Sequence, residues 1–273
     1  MAPTRFQGGL VQIPYEKHLS SNNVELLLID MDGTLGFSLI PEEQAISAAI
    51  KWISDEVTKL AGLPVSEEEV KQIYKQTKLK QYKLYPLQTR RHDKTLRFTL
   101  LLEDISRVKR IKIPRKMVED AMKIYWQVFE RNAAAYPGTH STLEALKQRH
   151  RIVVITNNGK VEGEKKRRIF GLEPDKHYDL FITSDELGGT CKPSEAYFDR
   201  VLKRIKSSLQ LDVPPERIIV IGDDPAGDIT LANMCGVQSI RVKKDLHSTE
   251  EPKNDLEKAS REINEVDELL EIL

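Results

Sequence analysis

Short, unbroken apolar runs alternate with segments of helical periodicity from residue 139 to 242, and one more such run stands far upstream at 24–30. A strand buried on both faces reads as a continuous hydrophobic run, and parallel strands are joined by crossovers that are usually helices. VELLLID (24–30), RIVVIT (151–156), DLFIT (179–183), RIIVIG (217–222) and VQSIRV (237–242) therefore predict five strands of an α/β core built on a Rossmann-like parallel sheet. Between them, helices are expected at Ser141 to Gln148, opened by the capping box Ser141-Thr142-Leu143-Glu144, and at about 160–170, 194–209 and 226–234. A further helix around 255–272 is expected to close the chain.

Residues 37–135 break this rhythm, carrying helical periodicity with almost no strand pattern. Helices are expected at about 42–60, from the capping box Ser66-Glu67-Glu68-Glu69 to about 84, at 89–106, and at 115–132 after Pro114. In the last of these Met117, Ala121, Ile124, Tyr125 and Val128 form a stripe that reads as packing against sister helices. The expected organisation is an N-terminal extension (1–23), a core (24–36 and 136–273) and an inserted all-helical cap domain (37–135).

The chain has 42 Lys plus Arg against 42 Asp plus Glu, so net charge does not call for nucleic acid or an anionic membrane as partner. Cys191 and Cys235 stand far apart and form no CxxC pattern, which argues against a disulfide framework or a zinc site. The N-terminus lacks the basic start and apolar core of a signal peptide, and no run approaches the ~18 apolar residues of a membrane span. A cytoplasmic enzyme is the expectation, monomeric or homodimeric.

Ligands of open parallel sheets sit beyond the carboxyl ends of the strands, so polar residues at those ends carry most weight. The first strand delivers Asp30 and Asp32 into a Gly33-Thr34 turn. Side chains at i and i+2 of an extended chain lie on one side, about 6.5 to 7 Å apart. A calcium loop would need its glycine at the sixth position and a Glu at the twelfth; here the glycine comes fourth. The second strand ends in Thr156-Asn157-Asn158-Gly159, Thr190-Cys191-Lys192-Pro193 follows the third, and the fourth ends in Gly222-Asp223-Asp224-Pro225. Singly these could be a capped turn, a solvated loop lysine and a helix cap. Carboxylates converging at one sheet edge, however, raise each other's pKa unless a cation is present. Few carboxylates with positions left for water and substrate suit Mg²⁺ better than an all-protein calcium cage. With Lys192 and the hydroxyl of Thr156, such a site complements the oxygens of a phosphoryl group.

In this order the motifs resemble those of the haloacid dehalogenase superfamily: Asp30-Met31-Asp32-Gly33-Thr34 the first, Thr156 the second, Lys192 the third, and Gly222-Asp223-Asp224 through Asp228 the fourth. Tyr136-Pro137-Gly138 leading into a helix and then Ile152 to Asn157 is similar to members with a helical cap after the first motif. The resemblance implies Asp30 as nucleophile through an aspartyl-phosphate and Asp32 as general acid and base. It also implies Mg²⁺ on the Asp30 carboxylate, the Asp32 carbonyl and Asp223, with Asp228 in support, and a phosphoryl group bound by Thr156, Asn157 and Lys192. Either Asp223 or Asp224 could reach the ion, with Asp223 preferred because it follows the glycine directly. Dehalogenating members lack an acid at the position of Asp32, which disfavours that chemistry.

The function expected is Mg²⁺-dependent hydrolysis of a small phosphorylated metabolite, such as a sugar phosphate or nucleotide, with a phosphomutase as the alternative within the superfamily. Residues 71–116 hold fifteen Lys and Arg against three Asp and Glu, while residues 245–273 hold ten acids against three bases. Solvated helix faces, with an attraction between the two runs, are the simpler explanation. The functional one has some of Lys78, Lys80, Arg90, Arg91, His92 and Arg97 binding a second anionic group of the substrate. A nucleic-acid-binding module would need an aromatic stacking platform that does not accompany this charge.

Overall fold

The computed structural model describes residues 23–243 and 250–273, so the expected N-terminal extension lies, but for Asn23, outside the described residues. Six parallel strands form one sheet: β1 (Leu26–Asp30), β2 (Arg151–Thr156), β3 (Leu180–Thr183), β4 (Ile218–Gly222), β5 (Gln238–Val242) and β6 (Arg261–Ile263). Their spatial order is β3-β2-β1-β4-β5-β6, which puts β1 at the centre. The first five are the strands expected from the apolar runs.

The continuous runs hide a period of two, as strand geometry requires. Leu27, Ile29, Ile152, Val154, Ile219 and Ile221 face one apolar core, while Leu26, Leu28, Val153, Ile155, Ile218 and Val220 face another. Both faces are thus covered by helices. Register then fixes the site: Asp30 pairs with Ile155, one residue before Thr156, and Ile29 pairs with Ile221, one before Gly222. The chain leaves β1 toward β2 on one side and finds β4 on the other, so the carboxyl end of β1 is the switch point where a crevice opens.

Between β1 and β2 lie α1 (Leu39–Ala61), α2 (Glu67–Leu84), α3 (Lys94–Lys109) and α4 (Lys116–Asn132). The two connecting segments run side by side: Phe37 N–H donates to Ala134 O at 2.8 Å, Tyr136 N–H to Leu35 O at 3.0 Å, and the Phe37 and Tyr136 rings lie 4.1 Å apart. Ser66 caps α2 by accepting from Glu69 N–H. The third helix starts later than its periodicity suggests, because Asp93 accepts from Leu96 N–H at 2.9 Å and so caps it; residues Thr89–Arg91 form a separate 3₁₀ turn. In α4 Met117, Ala121 and Tyr125 are buried and Phe129 completes the stripe, packed into the apolar core that continues onto the sheet.

The core helices are α5 (Thr139–Leu146), α6 (Lys160–Ile169), α7 (Glu195–Leu209), α8 (Thr230–Met234) and α9 (Leu269–Ile272). Two expectations fail. The capping box at Ser141 is absent: α5 begins earlier, after Gly138 in the left-handed region (φ 78°), and Ser141 Oγ donates to Gly138 O. The long helix at 255–272 is replaced by a 3₁₀ turn, β6, a second 3₁₀ turn and the short α9. There Arg241 Nη1 donates to Glu262 Oε1 at 3.2 Å and the Ser239 and Ser260 side chains exchange hydrogen bonds with each other's backbones, so sheet pairing overrides the helical preference of an acidic segment. Among the described residues no helix is long and apolar enough to cross a membrane.

Candidate active site

The carboxyl ends of β1, β2 and β4 open into a cavity of about 490 Å³, walled on the far side by the helical insertion. Asp30, Asp32, Thr156, Asn157, Lys192 and Asp223 all line it. Residues spread over nearly two hundred positions of sequence therefore meet in one volume.

Asp30 is 7 % exposed, and its Oδ1 accepts from Lys192 Nζ at 2.5 Å. The same ammonium donates to Asp228 Oδ1 at 2.6 Å. Thr34 Oγ1 lies 3.4 Å from Asp30 Oδ2 and 3.3 Å from Asp223 Oδ1, linking the first and fourth strand ends. Asp30, Asp223 and Asp228 each offer an oxygen within 4.8 Å of the others. Burial is the main force raising the Asp30 carboxyl, to about 8, with Asp228 and Asp32 adding to it and Lys192 opposing. Asp223 is also raised well above the usual carboxylate range by burial and by Asp30.

Two glycines make this crowding possible. Gly33 adopts φ +81°, and a Cβ there would meet the Asp223 carboxylate. A Cβ on Gly222 would likewise strike the Asp228 carboxylate. Each glycine therefore vacates the space that an acidic side chain fills. Asp224 behaves differently from Asp223: it is exposed, and its Oδ1 accepts from Ala226 N–H at 2.9 Å, capping the π-turn Pro225–Ile229 on which Asp228 sits.

The residues from β2 orient their neighbours. Thr156 Oγ1 accepts from Asn158 N–H at 3.2 Å and Asn158 Nδ2 at 2.8 Å, which leaves the hydroxyl its own proton to donate. Asn158 Nδ2 also donates to Asp32 Oδ2 at 2.5 Å. The Asn157 side chain clamps the Lys192 backbone, accepting from its N–H at 2.8 Å and donating to its carbonyl at 3.4 Å. Asn157 thus fixes the loop that presents Lys192.

Sequence reasoning misses a second charged layer. Lys166 of α6, 2 % exposed, donates to Asp32 Oδ1 at 2.9 Å and lies 3.6 Å from Glu42 and from Glu162. Lys94 of α3 sits 3.0 Å from Glu162 and 3.2 Å from Glu42. This buried network joins the insertion to the core directly behind Asp32. One signal is present in the chain: Glu162 and Lys166 stand at i and i+4 on one helix face. The pairing with α1 and α3 is tertiary and leaves no local pattern.

Of the six insertion residues that could bind a second anion, only His92 lines the cavity. Arg97 is buried against Gln81 at 2.7 Å and Arg91 O at 2.9 Å, Lys80 lies 3.4 Å from Asp104, and Lys78, Arg90 and Arg91 sit over tyrosine rings. Nor, among the described residues, does the basic run pair with the acidic C-terminal segment: Lys71, Lys80, Arg107 and Lys109 find Glu67, Asp104 and Glu69 inside the insertion.

Two groups on the cavity wall couple folding to acid. Burial and then Lys94 lower the His92 imidazole from 6.5 to about 3, so the unfolded chain binds the extra proton in that window. Glu42, although burial opposes it, is lowered from 4.5 to about 2 by Lys94 and Lys166. Each makes stability rise with pH across its own window. Asp30 and Asp223, raised in the fold, act in the opposite sense above about pH 4, so the expected result is a melting temperature that falls only below about pH 4, with Glu42→Gln flattening that fall; thermal melts from pH 7 to 3 check it.

A family model for haloacid dehalogenase-like hydrolases matches residues 24–236. The chain belongs to that family. Over 254 residues it is 26 % identical to a glyceraldehyde 3-phosphate phosphatase of Methanothermobacter thermautotrophicus, covering 91 % of this chain and 98 % of the relative. Among solved structures, the HAD phosphatase from Thermococcus onnurineus superposes with a TM-score of 0.65 at 21 % identity, over 91 % of this chain and 97 % of its own. The HAD-hydrolase YfnB from Bacillus subtilis, bound to magnesium, gives a TM-score of 0.60 at 20 % identity, over 92 % and 99 %. At these identities the two structures speak for the fold.

Proposed function

We propose that this HAD-family hydrolase is a Mg²⁺-dependent phosphatase that cleaves a small sugar phosphate, with Asp30 as nucleophile. The observation that carries the reading is the meeting of Asp30, Lys192, Thr156 and the Asp223–Asp228 pair in one cavity, with Asp32 two residues from the nucleophile. The relative acting on glyceraldehyde 3-phosphate supports a sugar phosphate as the ester.

The acid cluster fits a hard divalent ion: three buried or half-buried carboxylates share a space with one ammonium, and two of them are driven above the ordinary range by that crowding. Asp30 and Asp223 would hold it together with the Asp32 carbonyl, and Asp228, tied to Lys192, would steady the arrangement. When bound, the ion would neutralise phosphoryl oxygens and keep Asp30 ionised.

Lys192 and the Thr156 hydroxyl face the cavity as donors to the transferring group's oxygens. Asp30 attacks phosphorus as the ester oxygen departs, leaving an aspartyl-phosphate. Asp32, once protonated, gives its proton to that leaving oxygen; as the carboxylate it then takes one from the water that hydrolyses the intermediate. In the arrangement described, Asp32 accepts from both Asn158 and Lys166. The four-helix insertion forms the opposite wall and acts as a cap that excludes water.

Release of phosphate from p-nitrophenyl phosphate tests the reading. It should require Mg²⁺ and stop on chelation; equal activity in excess chelator would overturn the metal's role, and no activity with any phosphomonoester would overturn the phosphatase itself.

A further inference from the structure

The cavity contains three lysines and seven carboxylates, and every one of those lysines is already held by acids. Lys192 lies 2.5 Å from Asp30 and 2.6 Å from Asp228. Lys166 lies 2.9 Å from Asp32, and Lys94 lies 3.0 Å from Glu162 and 3.2 Å from Glu42. The cations nearest the far wall are thus spent on the charge network behind Asp32. His92 also reaches the cavity but stays neutral, because burial and the neighbouring Lys94, Arg91 and Arg97 hold its imidazole at about 3.

We propose that this enzyme selects esters bearing a single phosphate and an uncharged, hydroxylated remainder, and rejects bisphosphates, because Glu42 and Glu162 neutralise the lysine that would otherwise receive a second anion. The proposal rests on the phosphatase reading and narrows its substrate class. The phosphate's place is at Asp30, where Lys192 and the metal-ligating acids gather. What remains for the rest of the substrate is a wall of Ser38, Glu42, Tyr82, His92 and Lys94. A hydroxyl, a phenol, an imidazole and a carboxylate exchange hydrogen bonds with sugar hydroxyls or a carbonyl. A second phosphate would there displace Glu42 from Lys94 or lie beside its carboxylate, and like charges brought together in such a place are strongly disfavoured. Glu42 and Glu162 are accordingly specificity-determining residues, acting through Lys94.

The matched pair ribulose 5-phosphate and ribulose 1,5-bisphosphate tests this, read as phosphate release with Mg²⁺. The monophosphate should be favoured in kcat/KM by about 100-fold. Glu162→Gln should narrow that ratio about tenfold or more by freeing Lys94, and Glu42→Gln gives a second route to the same ammonium should the first variant fail to fold. Calorimetric binding of both sugars to Asp30→Asn makes the comparison without turnover. A bisphosphate that binds and reacts as well as the monophosphate overturns the proposal, as does a ratio unmoved in both folded glutamine variants. Failure to hydrolyse any phosphomonoester is a different result: it overturns the phosphatase reading, while the binding comparison still decides the charge selection.

Discussion

Asp30→Asn is expected to abolish phosphate release from p-nitrophenyl phosphate, with kcat falling by about 10⁴-fold or more, because an amide cannot serve as the nucleophile. Its stability should move the other way. The folded carboxyl is raised from 3.8 to about 8, chiefly by burial, so the native state binds the extra proton between those values and ionised Asp30 opposes folding at neutral pH. The metal-free variant should therefore melt at or above the wild type at pH 7. A dead enzyme with an undiminished melting temperature separates lost chemistry from lost structure. Residual activity above about one part in a thousand would place the nucleophile elsewhere.

The second large effect falls on stability as well as rate. Lys192→Met removes the ammonium between Asp30 and Asp228, and leaves Asp30, Asp223 and Asp228 without it. Breaking one side of a buried ion pair costs about 3–5 kcal/mol, more than the hydrophobic gain of a methionine returns. For a chain of this size that is roughly a 10 °C drop in melting temperature. Loss of a cation aimed at the phosphoryl oxygens should also lower kcat by about 10²–10³-fold. Mg²⁺ should raise the melting temperature of the variant more than that of the wild type, since a divalent ion relieves the same repulsion. Urea titrations with and without Mg²⁺ measure both. A variant as stable as the wild type in chelator would show that the three acids do not depend on Lys192.

The residues behind both effects are legible in the amino-acid sequence, and the reason is local. Strands β1, β2 and β4 are short apolar runs, and the candidate site residues end them or immediately follow: Asp30, Thr156 and Gly222-Asp223. Period and position suffice for that. The choice between Asp223 and Asp224 is not legible there, because it depends on the space above Gly33 and on Ala226 N–H, which only the folded turn defines. Lys166, Lys94, Glu42 and Glu162 escape notice for a similar reason. Each looks like an ordinary charge on an amphipathic helix, and only the packing of α1, α3 and α6 buries them together. The basic run misleads in the opposite direction: its charge count is high, yet Arg97 serves Gln81 and the Arg91 carbonyl, and the side chains over Tyr82 and Tyr85 pack on those rings without lining the cavity. The acidic C-terminal segment has helical composition but pairs with β5, since an edge of the sheet offers its backbone partners that an isolated helix would not.

The network behind Asp32 also connects fold to chemistry. Lys94 belongs to the insertion and Glu162 to the core, and the Glu162 that meets Lys94 also lies 3.6 Å from the Lys166 that donates to Asp32. The seating of the insertion and the orientation of Asp32 are thereby parts of one ionic arrangement.

In the mechanism proposed, the phosphoryl group passes covalently through Asp30. Rapid acid quench during turnover with Mg²⁺ and a sugar monophosphate, followed by peptide mass analysis, examines it directly. The expected result is a gain of one phosphoryl group on the peptide carrying Asp30, discharged by hydroxylamine and absent in Asp30→Asn. Steady phosphate release with no modified peptide, or with the phosphoryl group on another residue, would contradict it.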